Sequence, residues 1–172
     1  HGNMLPFNTV NSEFDGAIDP NAPHMDDAVG LSDKIFVAGD ARANENPLLV
    51  AYHTIFVREH NRLCDELAVQ NPSWNDEELY QYARKIVGAL MQCIVYNEWL
   101  PTMGVELPPY SGYNSRVHPG ITNVFSAAAF RMGHTLLNGT LLRLDQNGDP
   151  MPSGNIELRF AFFNPLLVME DG

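Results

Sequence analysis

The run PLLVAYHTIFVREHNRLCDELAV, residues 47–69, sets the terms for the rest of the chain. Pro47 suits the first turn of a helix, where its missing N–H costs nothing. Leu48, Leu49, Tyr52, Ile55, Phe56, Leu63 and Leu67 then recur at the spacing of an amphipathic helix, which the pattern places over about Pro47 to Val69. So long a helix must bury its apolar side against other elements. The next stretch supplies one. Asn75 or Asp76 can cap a second helix, and Glu77 and Glu78 favour its first turn through the helix dipole. Leu79, Ala83, Ile86, Val87, Leu90, Ile94 and Val95 carry that pattern to about Trp99, where Pro101 ends it.

A third helix is expected from about Thr122 to Leu137, TNVFSAAAFRMGHTLL, with Asn138 and Gly139 as its stop. Residues 140–160, LLRLDQNGDPMPSGNIELRF with Thr140 ahead of it, read as short strands or extended chain, and FFNPLLVMEDG begins another helix. Residues 1–34 hold Pro6, Gly16, Pro20, Pro23 and Gly30 with little periodicity and read as loop-rich wrapping; GVELPPYSGYNSRVHPG is a further loop. The expected fold is therefore mainly α, with long loops and few or no short strands, in one unit over 1–172.

At 172 residues and 45% apolar composition the chain can bury a core. Its net charge of −11, with no basic stripe, argues against a nucleic-acid partner. The apolar run IVGALMQCIVY is broken by Gln92 and falls short of the roughly 20 residues of a bilayer span. Cys64 and Cys93 fit no zinc spacing; each lies in an apolar helical pattern, as a small buried hydrophobe or as half of a bridge between neighbouring helices. The chain starts at His1 without a signal-like segment and stops directly after a hydrophobic run, so both ends read as cut.

Several residues could carry chemistry. Asp145, Asn147 and Asp149 fall at the first, third and fifth positions of a calcium loop, but Pro150 replaces the required Gly and Ile156 the bidentate Glu, which leaves a polar turn. His53 and His60 stand seven apart, too far to grip one metal as an HExxH pair does, and read as helix-packing histidines. Asn138, Gly139 and Thr140 form a glycosylation sequon, which permits secretion. His134 follows Ala127, Ala128, Ala129 and Gly133, small residues that would let a planar macrocycle lie close to the backbone and be ligated by the imidazole; a packed core histidine is the other reading. Arg42 and Glu45, in AGDARANENPLL, are consistent with a solvated charge and a carboxylate favouring the helix N-terminus.

Together, FVAGDARANENPLL, HTIFVREHNRL, NPSWNDEELYQYARKIVGALMQCIVYNEWLP, FRMGHTL and FFNPLLV occur in an order that strongly resembles the animal-type haem peroxidases of the peroxidase-cyclooxygenase superfamily, from about residue 31 onward. The resemblance implies an all-helical haem-cradling core at 35–172 behind the lead-in of residues 1–34, and covers the central third of the family domain. It implies haem b as cofactor, Arg42 as the distal arginine that polarises peroxide, Glu45 as a carboxylate esterified to a haem methyl, His134 as the proximal iron ligand, and Arg131 as the partner of a haem propionate. The implied function is oxidation of halide, thiocyanate or aromatic donors by hydrogen peroxide, through an oxoferryl haem intermediate, in a secreted or extracellular setting.

The departures from the family pattern are specific. Asn46 stands where myeloperoxidase has a methionine linked to haem, so ester attachment at most is expected. Arg131 stands where fatty-acid dioxygenases of the superfamily carry a radical-forming tyrosine, which disfavours lipid dioxygenation. The distal histidine and calcium ligands of the full family domain are expected to lie outside this chain, and His24 in PHMDD lacks their motif. A non-catalytic binding or adhesion piece, or a subunit whose partner chain supplies the distal half, is the alternative function.

Overall fold

The computed structural model describes residues 5–169; residues 1–4 and 170–172, which close the expected 1–172 unit, lie outside them. The helix that the sequence places at Pro47–Val69 is α1, Pro47–Gln70. Its N-cap is Asn46, whose side chain accepts a hydrogen bond from the Leu49 N–H, satisfying one of the donors a helix start leaves open. α2, Asp76–Ile94, begins on a reciprocal capping box: Asn75 Oδ1 accepts from Glu78 N at 3.0 Å, and Glu78 Oε2 accepts from Asn75 N at 2.8 Å. α1 and α2 pack together through Leu63, Leu67, Ala83 and Val87, with Phe56, Trp74, Leu79 and Ile86 around them.

Not every apolar residue of α1 finds that core. Val50 and Thr54 are buried, whereas Tyr52 and Ile55 are 60% and 54% exposed. A helix apolar on more than one side wants neighbours on more than one side. α2 shows the same on a larger scale. Burial ends at Val87, and Leu90, Met91, Ile94, Val95, Tyr96 and Trp99 are all exposed.

The α2 pattern does not stop before Pro101. It widens into a π-helical turn, Val95–Trp99, and continues as α3, Leu100–Thr102. Within the widened turn the Leu100 N–H reaches Val95 O. A proline inside an α-helix lacks a donor and clashes with the carbonyl four residues back, and a wider turn accommodates both defects. The helix ends instead at Gly104, whose φ of +77° belongs to the left-handed region that glycine reaches without strain.

The expected single helix from Thr122 to Leu137 is two pieces. α4, Asn123–Ala127, is capped by Thr122 Oγ1 accepting from Phe125 N, and a 3₁₀ segment, Ala129–Leu136, follows a break at Ala128, φ −126° and ψ −68°. Its residues are exposed, so no packed face forces a regular α-helix through Gly133 and the β-branched Thr135. Two-residue strands β1, Thr140–Leu141, and β2, Ile156–Glu157, pair antiparallel with Thr140 opposite Glu157 and Leu141 opposite Ile156. The turn between them is closed by Asp145, whose Oδ1 accepts from both Asn147 N and Asp149 N. That carboxylate is spent on backbone donors, as a polar turn requires. α5, Leu158–Ala161, and a 3₁₀ turn, Pro165–Met169, complete the described chain.

The lead-in does more than wrap. Leu5 and Phe7 join Phe36 and Val50 in one buried cluster, with Leu166 and Val168 packed against it. Phe7 stacks on Phe36 at 4.4 Å between ring centroids. Phe36 is fully buried, and its backbone is paired by a side chain: its N–H donates to Asn44 Oδ1 at 3.0 Å, and its carbonyl accepts from Asn44 Nδ2 at 2.7 Å. Asn44 is itself 1% exposed. Removing it leaves a buried donor and a buried acceptor unmatched, each costing about 1–3 kcal/mol. Asn44→Ala is therefore expected to lower unfolding stability by about 2–6 kcal/mol in urea titration; a loss below about 0.5 kcal/mol, the size of a neutral surface change, would contradict the assignment.

Candidate functional site

Arg42 and Glu45 lie on the turn that enters α1, and three independent contacts hold that turn. Asn44 pairs with Phe36, Asn46 caps α1, and the Glu45 carbonyl accepts a hydrogen bond from Phe163 N at 2.7 Å. Phe163 takes a left-handed φ of +52° to deliver that bond, a conformation costing a bulky residue about 1–2 kcal/mol. The Glu45 N–H donates to Arg42 O at 2.9 Å, which closes the turn between the two residues.

The charge on Arg42 does not go to Glu45. Asp40, two residues earlier, grips the guanidinium with two bonds: Arg42 Nε donates to Oδ1 at 3.0 Å and Nη2 to Oδ2 at 2.8 Å. Asp40 Oδ1 also accepts from the Arg42 backbone N–H at 2.9 Å, so both ends of the arginine are tied to one carboxylate. The Arg42 side-chain hydrogen bond, then its backbone N–H, hold the Asp40 carboxyl well below the usual carboxylate range, and the same side-chain bond raises Arg42. Glu45 is half-buried, and its carboxylate makes no hydrogen bond or ion pair among the described residues.

Arg131 and His134 sit on the Ala129–Leu136 segment. In a 3₁₀ helix, positions three apart eclipse, so the two side chains leave one face of the segment together. Arg131 Nε donates to Ser126 O at 3.2 Å, and the His134 imidazole makes no hydrogen bond among the described residues. Beside them Gly133 borders open space: a Cβ placed there would meet nothing within 4 Å. An unpartnered imidazole, a guanidinium on the same face and an uncrowded backbone between them fit a planar iron macrocycle bearing carboxylates. Among the described residues, no hydrogen bond or ion pair joins this pair to Arg42 or Glu45.

The other polar residues fill structural roles. His60 Nε2 lies 3.1 Å from Tyr80 O on α2, which makes that nitrogen the donor, and its ring tilts against Tyr80. Cys64, half-buried beside it, has its thiol pushed up by burial; Cys93 is exposed, and both cysteines are free, so neither the bridge nor the burial of Cys93 is realised. Among the described residues, no group of three or more His, Cys, Asp or Glu side chains could hold a metal ion, and no helix is long and apolar enough to cross a membrane. A groove of about 1360 Å³ opens between α2 and residues 104–110, past Cys93 and Tyr96, but takes in none of Arg42, Glu45, Arg131 or His134. Sequence reading missed Asp40 and Asn44. The available cue for Asp40 was Asp-Ala-Arg itself, since an aspartate readily turns its carboxylate back to the N–H two residues on.

The chain as a whole has relatives. The animal haem peroxidase family matches residues 2–172, and the chain belongs to that family. It is 47% identical over 142 residues to a peroxidasin homolog of Mus musculus, covering 80% of this chain and 10% of that protein. It is 49% identical over 143 residues to lactoperoxidase of Mesocricetus auratus, covering 80% of this chain and 20% of that protein. Peroxidase A from Dictyostelium discoideum, a solved structure, superposes with a TM-score of 0.78 at 34% identity, over 87% of this chain and 29% of that one. The chain thus spans between a tenth and a third of the length of these relatives.

The Asp40–Arg42 pair gives a pH prediction. Because the folded-state value of Asp40 is depressed, its contribution is present above the unfolded carboxylate value and is lost as pH falls through the lower folded value. Carboxyl-carbon NMR of wild-type protein is expected to show Asp40 titrating well below the usual carboxylate range. In Arg42→Gln its midpoint should return toward about 3.9, the value of a free aspartate. An unchanged midpoint in the variant would show that Arg42 is not the cause.

Proposed function

We propose that this chain forms part of a haem peroxidase that uses hydrogen peroxide to oxidise halide, thiocyanate or aromatic donors. The observation that carries the reading is the shared exposed face of Arg131 and His134 beside the open backbone at Gly133. His134, with no hydrogen-bond partner among the described residues, offers a ring nitrogen as the proximal ligand of haem iron. Arg131, three residues earlier, offers the remaining nitrogens of its guanidinium to a propionate. When bound, haem b supplies the redox chemistry that peroxide and donor require. Arg42 presents a fixed cation near the substrate peroxide, where it stabilises negative charge developing on the departing oxygen. Glu45, on the same turn, has a carboxylate with no hydrogen bond or ion pair among the described residues, available for an ester to a haem methyl. Asn46 caps α1 and carries no sulfur, so a sulfonium link is not part of the proposal. Arg131, in place of a tyrosine, speaks against lipid dioxygenation, and a secretory setting accompanies the peroxidase reading.

A second reading is favoured by one observation. From residue 88 to residue 139 the chain is almost wholly exposed, including Leu90, Ile94, Trp99, Phe125 and Phe130. In this reading the chain binds haem only with a further segment or partner chain that covers that surface and supplies the distal half of the site.

Titration with haem tests both. A Soret band is expected with wild-type protein and should be lost in His134→Ala; a wild-type chain that never binds haem would overturn the site assignment for the chain alone, and binding restored by an added distal segment would establish the second reading. After incubation with haem and peroxide and then denaturation, a haem-sized mass increment should remain on wild-type protein and be absent from Glu45→Gln. A protein that binds haem but never retains it would remove the ester from the proposal.

A further inference from the structure

We propose that Asn138 is an acceptor for N-linked glycosylation; this rests on the secretory setting of the function above and adds to it a modification four residues beyond His134. Asn138-Gly139-Thr140 is the one Asn-X-Ser/Thr triplet in the sequence whose middle residue is not proline, since Asn71-Pro72-Ser73 is blocked by Pro72. Its placement fits an acceptor. Asn138 is exposed, in the three-residue link between the Ala129–Leu136 segment and β1, and Gly139 borders open space on its side.

The amide is also presented in a defined way. Asn138 Oδ1 accepts the Thr140 N–H at 3.1 Å. A backbone N–H can only donate, so the atom facing it must be the oxygen, which fixes the amide against a flip. Nδ2 is thereby directed away from the turn, and it makes no hydrogen bond among the described residues. The reaction requires a lipid-pyrophosphate-linked oligosaccharide as donor. Nδ2 forms a bond to the anomeric carbon, the bond from that carbon to the pyrophosphate oxygen breaks, and Nδ2 releases one proton while the lipid pyrophosphate leaves. No electrons are exchanged.

The modification would also set a boundary. A glycan is bulky and stays in solvent. Whatever covers the exposed apolar surface of residues 88–137 must leave the Asn138 end of the Ala129–Leu136 segment uncovered.

The test is translation of the full chain behind a secretory leader with microsomes, under conditions in which the R116T variant, which completes a sequon at Asn114 in the exposed loop, gains a second, independent glycan. Wild-type chain is expected to gain one glycan, removable by a glycan amidase that leaves a deamidated residue at position 138. N138Q and T140A should lose it, and T140S, which keeps the hydroxyl, should retain it. A wild-type chain left unmodified while Asn114 of R116T is modified would overturn the proposal. So would a glycan that persists in N138Q. A glycan gained in microsomes but absent from protein isolated from its own cells would overturn the secretory setting and leave the acceptor assignment standing.

Discussion

The pairing of the Asn44 side chain with both backbone groups of Phe36 is the interaction on which the packing of the lead-in against α1 depends. Phe36 stacks on Phe7 and shares a buried cluster with the α1 residue Val50, which Leu166 and Val168 pack against. Its N–H and carbonyl, buried in that cluster, have no strand neighbour on that edge, and an unmatched pair there would cost several kcal/mol. An amide side chain, with one donor and one acceptor side by side, is the side chain that can replace a peptide in that position. By doing so Asn44 brings the loop of residues 40–46 against the core and sets where Arg42 and Glu45 stand.

The other half of the candidate site is built on a different principle. Thr122 caps α4, Arg131 Nε reaches Ser126 O, and Thr135 Oγ1 reaches Met132 O, all within a few residues of one another. These bonds shape the segment locally, but nothing apolar is buried along it. Tertiary burial, rather than propensity, supplies most helical stability, so an unburied stretch rich in Ala settles into short turns instead of one long helix. Along the same stretch Leu90, Ile94, Trp99 and Phe125 are exposed, so their apolar spacing meets no packed neighbour among the described residues. Proline, glycine and caps decide where such helices stop; a covering surface decides whether they stay regular.

What could be read from the sequence follows the same division. α1 and the start of α2 were legible because Pro47 and Asn75 carry their own start chemistry and because apolar spacing reports burial where burial occurs. The mainly helical fold and the family followed from long motifs. The break at Ala128 was not legible, since nothing in AAAF opposes a helix; only the absence of a packed face does. The widened turn at Val95–Trp99 was hidden because Pro101 announces a defect without saying how the backbone absorbs it. Exposure of Tyr52 and Ile55 was hidden for a related reason: apolar periodicity names a face but not its partner. Asn44 gave no warning, because a buried polar side chain obeys no period and is defined by a backbone segment eight residues away.

The ion pair at Asp40 bears directly on how Arg42 could act. Arginine has a long, flexible side chain, and its charge is useful to a reacting oxygen only if it is already in place. Asp40 takes Nε and one hydrogen-bonding direction of Nη2 while also accepting the Arg42 backbone N–H, so one carboxylate fixes both the base and the tip of the side chain. Nη1 and the second Nη2 hydrogen remain on the opposite edge. A lysine would offer its three donors from one freely rotating ammonium, without the rigid planar fork that lets arginine keep two separate edges. The arginine side chain is 67% exposed, so the pair contributes little to stability in water. Its consequence is orientation. Asp40 holds one edge of the guanidinium, and the turn that carries both residues is anchored by Asn44, Asn46 and Phe163.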